Sequence, residues 1–150
     1  MAKPALKSKP AIPDAGYTLD DQVGFILRQV NQRHTLIFAN RIGHDVTPMQ
    51  WAALAKLFEA GPCSQNLLGR LTAMDAATIK GVVDRLARRK LAGTCPDPAN
   101  RRRRLVDLTA SGRELAAHLI PAAHQITGET LAPLSAAERE VFLNLLKKMR

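Results

Sequence analysis

The run Asp97-Pro98-Ala99-Asn100-Arg101-Arg102-Arg103-Arg104-Leu105-Val106-Asp107-Leu108 decides how this chain folds. It reads as a turn, four consecutive arginines and a short strand, since Asp-Pro opens turns and Leu105, Val106, Asp107 and Leu108 alternate, imperfectly, as a strand does. Immediately before it, Asp75 to Leu91 places Ile79, Val82, Val83 and Leu86 at the i, i+3, i+4, i+7 spacing of a helix with one apolar side. A helix that packs on one side, followed by a basic hairpin, is an arrangement suited to gripping nucleic acid.

Working outward, Thr94 to Pro96 and Arg104 to Leu108 flank the Asp97-Pro98 turn as a small hairpin, and Gly93 closes the helix before it. Upstream, Ser64 caps a short helix with core contacts Leu67, Leu68 and Leu71. Thr72-Ala73-Met74 is a tight connection to Asp75, the cap of the next helix. Short helix, turn and longer helix make a helix-turn-helix, and the hairpin makes its wing. Before them, Thr47-Pro48-Met49-Gln50 has the form of a capping box with Pro at the first helical position. The helix it starts carries Trp51, Leu54, Leu57 and Phe58 as its buried side and stops at Gly61-Pro62. A first helix spans Leu19 to about Arg41, with Val23, Ile26, Leu27, Val30 and Ile37 apolar, and Gly43 ends it. Downstream, Thr109 caps a helix running to about Leu131, which Pro121 should kink. Ser135-Ala136-Ala137-Glu138 caps a last helix whose stripe is Phe142, Leu145, Leu146 and Met149.

The fold class is therefore mainly α with a small β-hairpin: a winged helix-turn-helix over 47–108, flanked by terminal helices at 19–46 and 109–150. The apolar stripes of those terminal helices need a partner, which makes them a dimerisation region. Residues 1–18 read as a flexible basic tail.

Composition agrees with a polyanion partner. The 150 residues carry a formal net charge of +9 and a sequence pI near 10.3. The excess is local: Arg88 to Arg104 holds seven basic residues against Asp97 alone, the footprint of a nucleic-acid binder. Cys63 and Cys95 are far apart and form no CxxC, so neither a disulfide framework nor a Cys-rich zinc site follows. No apolar run reaches transmembrane length and no secretory leader is evident, which places the expected site of action in the cytoplasm. No Ser-His-Asp grouping, phosphate-cradling glycine loop or paired-carboxylate motif points to an enzyme, and no cofactor is expected.

With those elements in place the chain resembles the MarR family of winged-helix transcriptional regulators, from about Leu19 to Arg150. Three pieces carry the likeness: Thr47 to Trp51, Ala76 to Leu86, and Asp97 to Arg102 leading into Leu108-Thr109-Ala110-Ser111-Gly112. The resemblance implies an obligate homodimer built from terminal helices, binding double-stranded DNA at a pseudo-palindromic operator. It also implies release by a small molecule, commonly an aromatic acid or phenol. Two departures stand out. Relatives often carry arginine where this chain has Ala76 or Gly81, and usually Asp where it has Asn100.

On this reading the helix starting at Asp75 presents Ala77, Lys80, Gly81, Asp84 and Arg88 opposite its apolar side. Small Ala76, Ala77 and Gly81 let the backbone approach closely, and Asp75 at the helix start is counted with the DNA-binding residues. Thr78 reaches a base edge or phosphate, and Lys80 is the main direct reader. Ser64 and Gln65 meet phosphate at the start of the preceding helix, and Arg101, Arg102 and Arg103 reach the backbone or minor groove. By resemblance the effector pocket lies between the first, second and fifth helices, with His34, Phe38, Met49 and Trp51 placed near it. Alternatives are a zinc-responsive regulator, a redox regulator using a Cys63 thiol of lowered pKa, a non-specific architectural DNA protein, and an enzyme.

Overall fold

The computed structural model describes residues 16–150. After a single 3-10 turn at Leu19–Asp21, the elements are α1 (Val23–Ile42), α2 (Pro48–Ala60), α3 (Gln65–Leu71), α4 (Ala76–Arg88), β1 (Ala92–Asp97), β2 (Asn100–Leu108), α5 (Ala110–Thr130) and α6 (Ala136–Lys148). The chain divides into two compact units, with the boundary between Gln32 and Arg33 inside α1. Of the tail expected over 1–18, residues 1–15 lie outside the described residues.

Capping chemistry sets where helices start. Thr47, Ser64, Asp75, Thr109 and Ser135 are N-caps, and each side chain accepts the N–H three residues on. Thr47 with Gln50, and Ser135 with Glu138, form reciprocal capping boxes. The first helix starts later than Leu19. Gln22 is extended (φ −84°, ψ 129°) and its N–H is held by the Leu19 carbonyl, so the leading turn does not run on into α1.

Two helices end in a left-handed residue that is not glycine. At Ala73 (φ 55°) the Met74 N–H bonds the Gly69 carbonyl at 2.9 Å, and at Lys90 (φ 59°) the Leu91 N–H bonds the Leu86 carbonyl at 2.9 Å. Both are Schellman closures. The second stops α4 at Arg88, short of the expected Leu91, and places Gly93 inside β1 instead of at the helix end. Its apolar contact is buried Leu91 in the same core as Leu86. The first makes the turn of the helix-turn-helix. Gly69 lets α3 approach α4 there, since a Cβ on it would sit 3.1 Å from both Ile79 Cγ2 and the Met74 carbonyl.

The core lies under α4: Leu54, Leu57, Leu68, Ile79, Val82 and Leu86 are fully buried. Each such side chain contributes about 1.5–3 kcal/mol of transfer free energy. In α2 the inward stripe is Gln50, Ala53, Leu54 and Leu57, one i, i+3, i+4, i+7 set. Trp51 therefore flanks the core half-buried and Phe58 is exposed, contrary to their expected inward places. Leu71, at the end of α3, is likewise exposed.

The α5 N-terminus is fastened to the α4–β1 turn. Thr109 N–H donates to the Leu91 carbonyl at 3.1 Å and Thr109 Oγ1 to the Lys90 carbonyl at 2.7 Å. Arg113 pairs with Asp107 at 2.7 Å. Pro121 sits inside α5 without ending it. At the other end Arg33 donates to the Thr130 and Glu129 carbonyls at 2.6 and 2.7 Å, and Arg41 pairs with Glu129. The outermost helices are poorly covered. Phe38 is the buried residue of α1, α6 has none, and Val23, Ile26, Val141, Leu145 and Met149 are exposed.

Candidate nucleic-acid interface

The outer face of α4 is small and polar near its start. Ala76, Ala77 and Lys80 are exposed, and Thr78 and Gly81 are half-buried. Asp75 is spent on capping: its Oδ1 accepts the Thr78 N–H at 2.7 Å, and that bond holds its carboxyl below the usual range. Asp75, expected among the DNA-contacting residues, thus fixes the helix start through this bond. Lys80 lies against Asp84 at 2.7 Å, both well exposed. That contact, by hydrogen bond first and by charge second, lowers the Asp84 pKa. An exposed i, i+4 pair is weak in water, so the Lys80 ammonium is not locked to Asp84. Arg88 donates weakly to the Asp84 carbonyl at 3.4 Å.

At the start of α3, Ser64 Oγ accepts the Leu67 N–H at 3.2 Å. The cap uses an acceptor lone pair, so the hydroxyl hydrogen stays available. Gln65 beside it is half-buried.

The wing differs from the expected short hairpin. Its strands run Ala92–Asp97 and Asn100–Leu108, and the turn shrinks to Pro98-Ala99. Pro96 faces Arg104, but the next pair is Asp97 with Asn100. Three residues of β2, Arg101 to Arg103, thus have no partner on β1. The break follows Pro96, which has no N–H for the ladder and marks where a strand bulges. Arg104 stays within the hairpin, donating to Thr94 Oγ1 at 2.8 Å. Arg103 Nε is 3.9 Å from Asp97, whereas Arg101 and Arg102 are exposed and make no ion pair among the described residues. The tip is nonetheless fixed: Asp97 Oδ1 accepts the Ala99 N–H at 2.9 Å and Asn100 Oδ1 the Arg102 N–H at 3.1 Å. Asn100, lacking the charge expected of relatives, still orders the loop through its amide oxygen.

Cys63 stitches the wing to the α2–α3 connection. Its N–H donates to the Val106 carbonyl at 3.1 Å, and the Val106 N–H donates back at 2.8 Å. The thiol is buried; burial first, and Asp107 second, push its pKa up. This corrects the expected lowered pKa, because the cysteine points into the core and not at a helix N-terminus exposed to solvent.

Of the four residues expected near an effector, Phe38 lines a cavity of about 140 Å³ with Ala39, Val46 and Pro48. His34 Nδ1 is 2.9 Å from Thr130 Oγ1 at the end of α5, Met49 is exposed, and Trp51 packs against the core. Sequence reading passed over a basic cleft of about 660 Å³ lined by His44, Asp45, Gln50, Arg85, Arg88 and Arg89. Arg89 is anchored there on the Asp45 carbonyl (2.5 Å) and on Gln50 Oε1 (3.4 Å). Arginines two turns past the reading end of a helix, and a loop histidine 41 or more residues away, carry no local signal of proximity.

A profile described as the MarR family matches residues 44–103. The chain is also 41% identical over 150 residues to the HTH-type transcriptional repressor NicR of Pseudomonas putida, covering 99% of this chain and 95% of that one. The chain belongs to the MarR family. A crystal structure of a probable transcriptional regulator from Pseudomonas aeruginosa matches this MarR-family fold with a TM-score of 0.85 and 55% identity, covering 89% of this chain and 100% of that one. A structure of Bordetella bronchiseptica BpsR, concerned with regulation of its DNA binding by 6-hydroxynicotinic acid, matches with a TM-score of 0.84 and 42% identity, covering 89% and 96%. As in other MarR-family chains, α3, α4 and the β1–β2 wing form a winged helix-turn-helix.

Proposed function

We propose that this chain is a homodimeric, sequence-specific transcriptional repressor of the cytoplasm, and not an enzyme, released from its operator by a small aromatic acid. The observation that carries the DNA reading is the juxtaposition of α4, whose outer face is Ala77, Lys80 and Gly81, with a wing tip on which Arg101 and Arg102 are exposed and make no ion pair among the described residues. Two copies set two α4 helices into successive major grooves, while the wings follow the backbone or minor groove. Ser64 and Gln65 hold phosphate at the α3 start, with Thr78 and Arg88 flanking Lys80. The exposed apolar residues of α1 and α6 supply the dimer surface. NicR is a named repressor, which supports repression; BpsR, whose DNA binding is regulated by 6-hydroxynicotinic acid, supports a monocyclic aromatic acid as effector here.

The DNA reading is tested by anisotropy titration on a promoter fragment from the source genome, with unrelated duplex as competitor. A dimer neutralising on the order of six phosphates gives a slope of log K against log salt of roughly −5. Arg102→Ala removes two contacts per dimer and flattens that slope by about 2, weakening all sequences alike. Lys80→Ala instead lowers preference for the promoter over the competitor. An unchanged salt slope for Arg102→Ala defeats the wing assignment, and equal affinity of the wild type for every duplex makes it an architectural protein. Adding 6-hydroxynicotinic acid to the promoter complex lowers anisotropy if the effector class is right.

A further inference from the structure

The first two turns of α4, Ala76 to Val82, contain no arginine. A guanidinium nevertheless reaches them from farther along the helix. A Cβ on Gly81 would meet Arg85 Nη1 at 3.6 Å and Arg85 Cζ at 4.0 Å, and no other side chain within 4 Å. The Arg85 side chain therefore runs back toward the helix start, the direction in which helical side chains lean, and lies over the bare Cα of Gly81. That carries its charge about 6 Å toward the reading end, at 1.5 Å per residue. It also accounts for Gly81 being half-buried while Ala77, one turn earlier on the same face, is exposed. Around the helix, at about 100° per residue, Ala77, Gly81 and Asp84 fall nearly opposite the buried Ile79, Val82, Val83 and Leu86, and Arg85 springs from the flank. Folding over Gly81 moves the guanidinium from the flank to the middle of the outer face. The group is also uncommitted. Lys80 lies on Asp84 and Arg89 on the Asp45 carbonyl and Gln50, whereas exposed Arg85 makes no ion pair or side-chain hydrogen bond among the described residues.

We propose that Arg85 sets base specificity, its guanidinium, laid over Gly81, donating two parallel hydrogen bonds to N7 and O6 of a guanine in the major groove. This role rests on the DNA reading above and adds a second reader beside Lys80. A cation on the flank of a helix seated in the groove meets phosphate, which carries no sequence information; one at the middle of the inserted face meets base edges. Guanine alone among the bases presents two acceptors side by side there, and the guanidinium fork matches that pair as an ammonium cannot. Glycine at 81 is the enabling residue, because any long side chain there would occupy the place the guanidinium takes. The arginine absent from the start of the helix in sequence is thus supplied in space from one turn later.

The test is anisotropy titration of the full chain on the promoter fragment, with the guanines of the protected half-sites replaced by 7-deazaguanine one symmetric pair at a time. That base keeps O6 and its pairing edge but has a C–H in place of N7. The wild type should lose roughly tenfold or more in affinity at a symmetric pair, as expected for one bidentate contact in each half-site. Arg85→Ala and Arg85→Lys should both bind the unmodified promoter more weakly and no longer respond at that pair, while responding elsewhere as the wild type does. Arg85 is exposed, so both variants should melt with the wild type by circular dichroism. Variants that respond at every pair as the wild type does, or a wild type that discriminates among duplexes yet ignores every replacement, overturn the role of Arg85 and leave the DNA reading standing. Uniform weakening on all duplexes in Arg85→Ala, with full affinity in Arg85→Lys, means a phosphate contact and also overturns it. If the wild type binds every duplex equally, the DNA reading fails and takes this role with it.

Discussion

Gly112→Ala adds one methyl group at the point where α5 is fastened to the α4–β1 turn. A Cβ there would lie 2.9 Å from the Leu91 carbonyl carbon and nearer still to its oxygen. The oxygen has to retreat on the order of 1 Å to restore ordinary contact. It cannot do so freely, because it accepts the Thr109 N–H, and the neighbouring Lys90 carbonyl accepts Thr109 Oγ1. Losing two such bonds costs about 2 kcal/mol, and overpacking adds about 1–3 kcal/mol. The helix preference for alanine over glycine returns about 0.5–1 kcal/mol. The expected net loss is about 2–4 kcal/mol, or a Tm lower by roughly 4–16 °C for a chain of this size. Gly128→Ala is the internal control: it lies in the same helix with nothing within 4 Å of its added Cβ, and should gain about 0.5–1 kcal/mol. Both are measured by denaturant unfolding at one protein concentration, since dimerisation makes apparent stability concentration-dependent. A Gly112→Ala variant within about 0.5 kcal/mol of the wild type, the ordinary scatter of surface substitutions, refutes the close approach.

Asp75→Asn keeps the capping oxygen but removes a titrating group. The Asp75 carboxyl is lowered by its bond from Thr78, so its charge-linked stability is present above the unfolded carboxylate pKa and lost as pH falls through the lower folded value. The variant should therefore lose less stability than the wild type between about pH 5 and pH 2, and identical acid limbs count against the assignment. Burial and a raised pKa should make Cys63 alkylate more slowly than half-buried Cys95 with iodoacetamide under native conditions; peptide mass spectrometry giving the reverse order contradicts the packing. Leu145→Glu, at an exposed apolar position of α6, should shift sedimentation toward monomer and weaken operator binding, whereas an undisturbed dimer removes α6 from the interface.

Much of the architecture was legible in the sequence because it rests on short-range chemistry. Thr47, Ser64, Asp75, Thr109 and Ser135 cap helices through bonds three residues long. Ile79, Val82, Val83 and Leu86 are buried as their spacing requires. A cap or an apolar stripe needs no knowledge of what lies across the molecule. The misses share the opposite property. Ending α4 at Arg88 took a left-handed Lys90, a conformation a Cβ-bearing residue rarely adopts and lysine does not advertise. Phe58 was expected inside, and Gln50 holds that stripe because Arg89 and its own capping box satisfy its amide oxygen.

From sequence alone came the helix order, the helix-turn-helix with its wing, the local surplus of positive charge and the resemblance to MarR regulators. Tertiary structure decided how the arginines are committed, since Arg104 turns back on Thr94 and Arg103 lies 3.9 Å from Asp97, while Arg101 and Arg102 make no ion pair among the described residues. It also turned Cys63 inward, pressed Gly112 against Leu91, and brought His44 beside Arg85 and Arg89. Those outcomes depend on contacts between residues distant in the chain. Their energies are set by the shape of the packed core, which no window of neighbouring residues encodes.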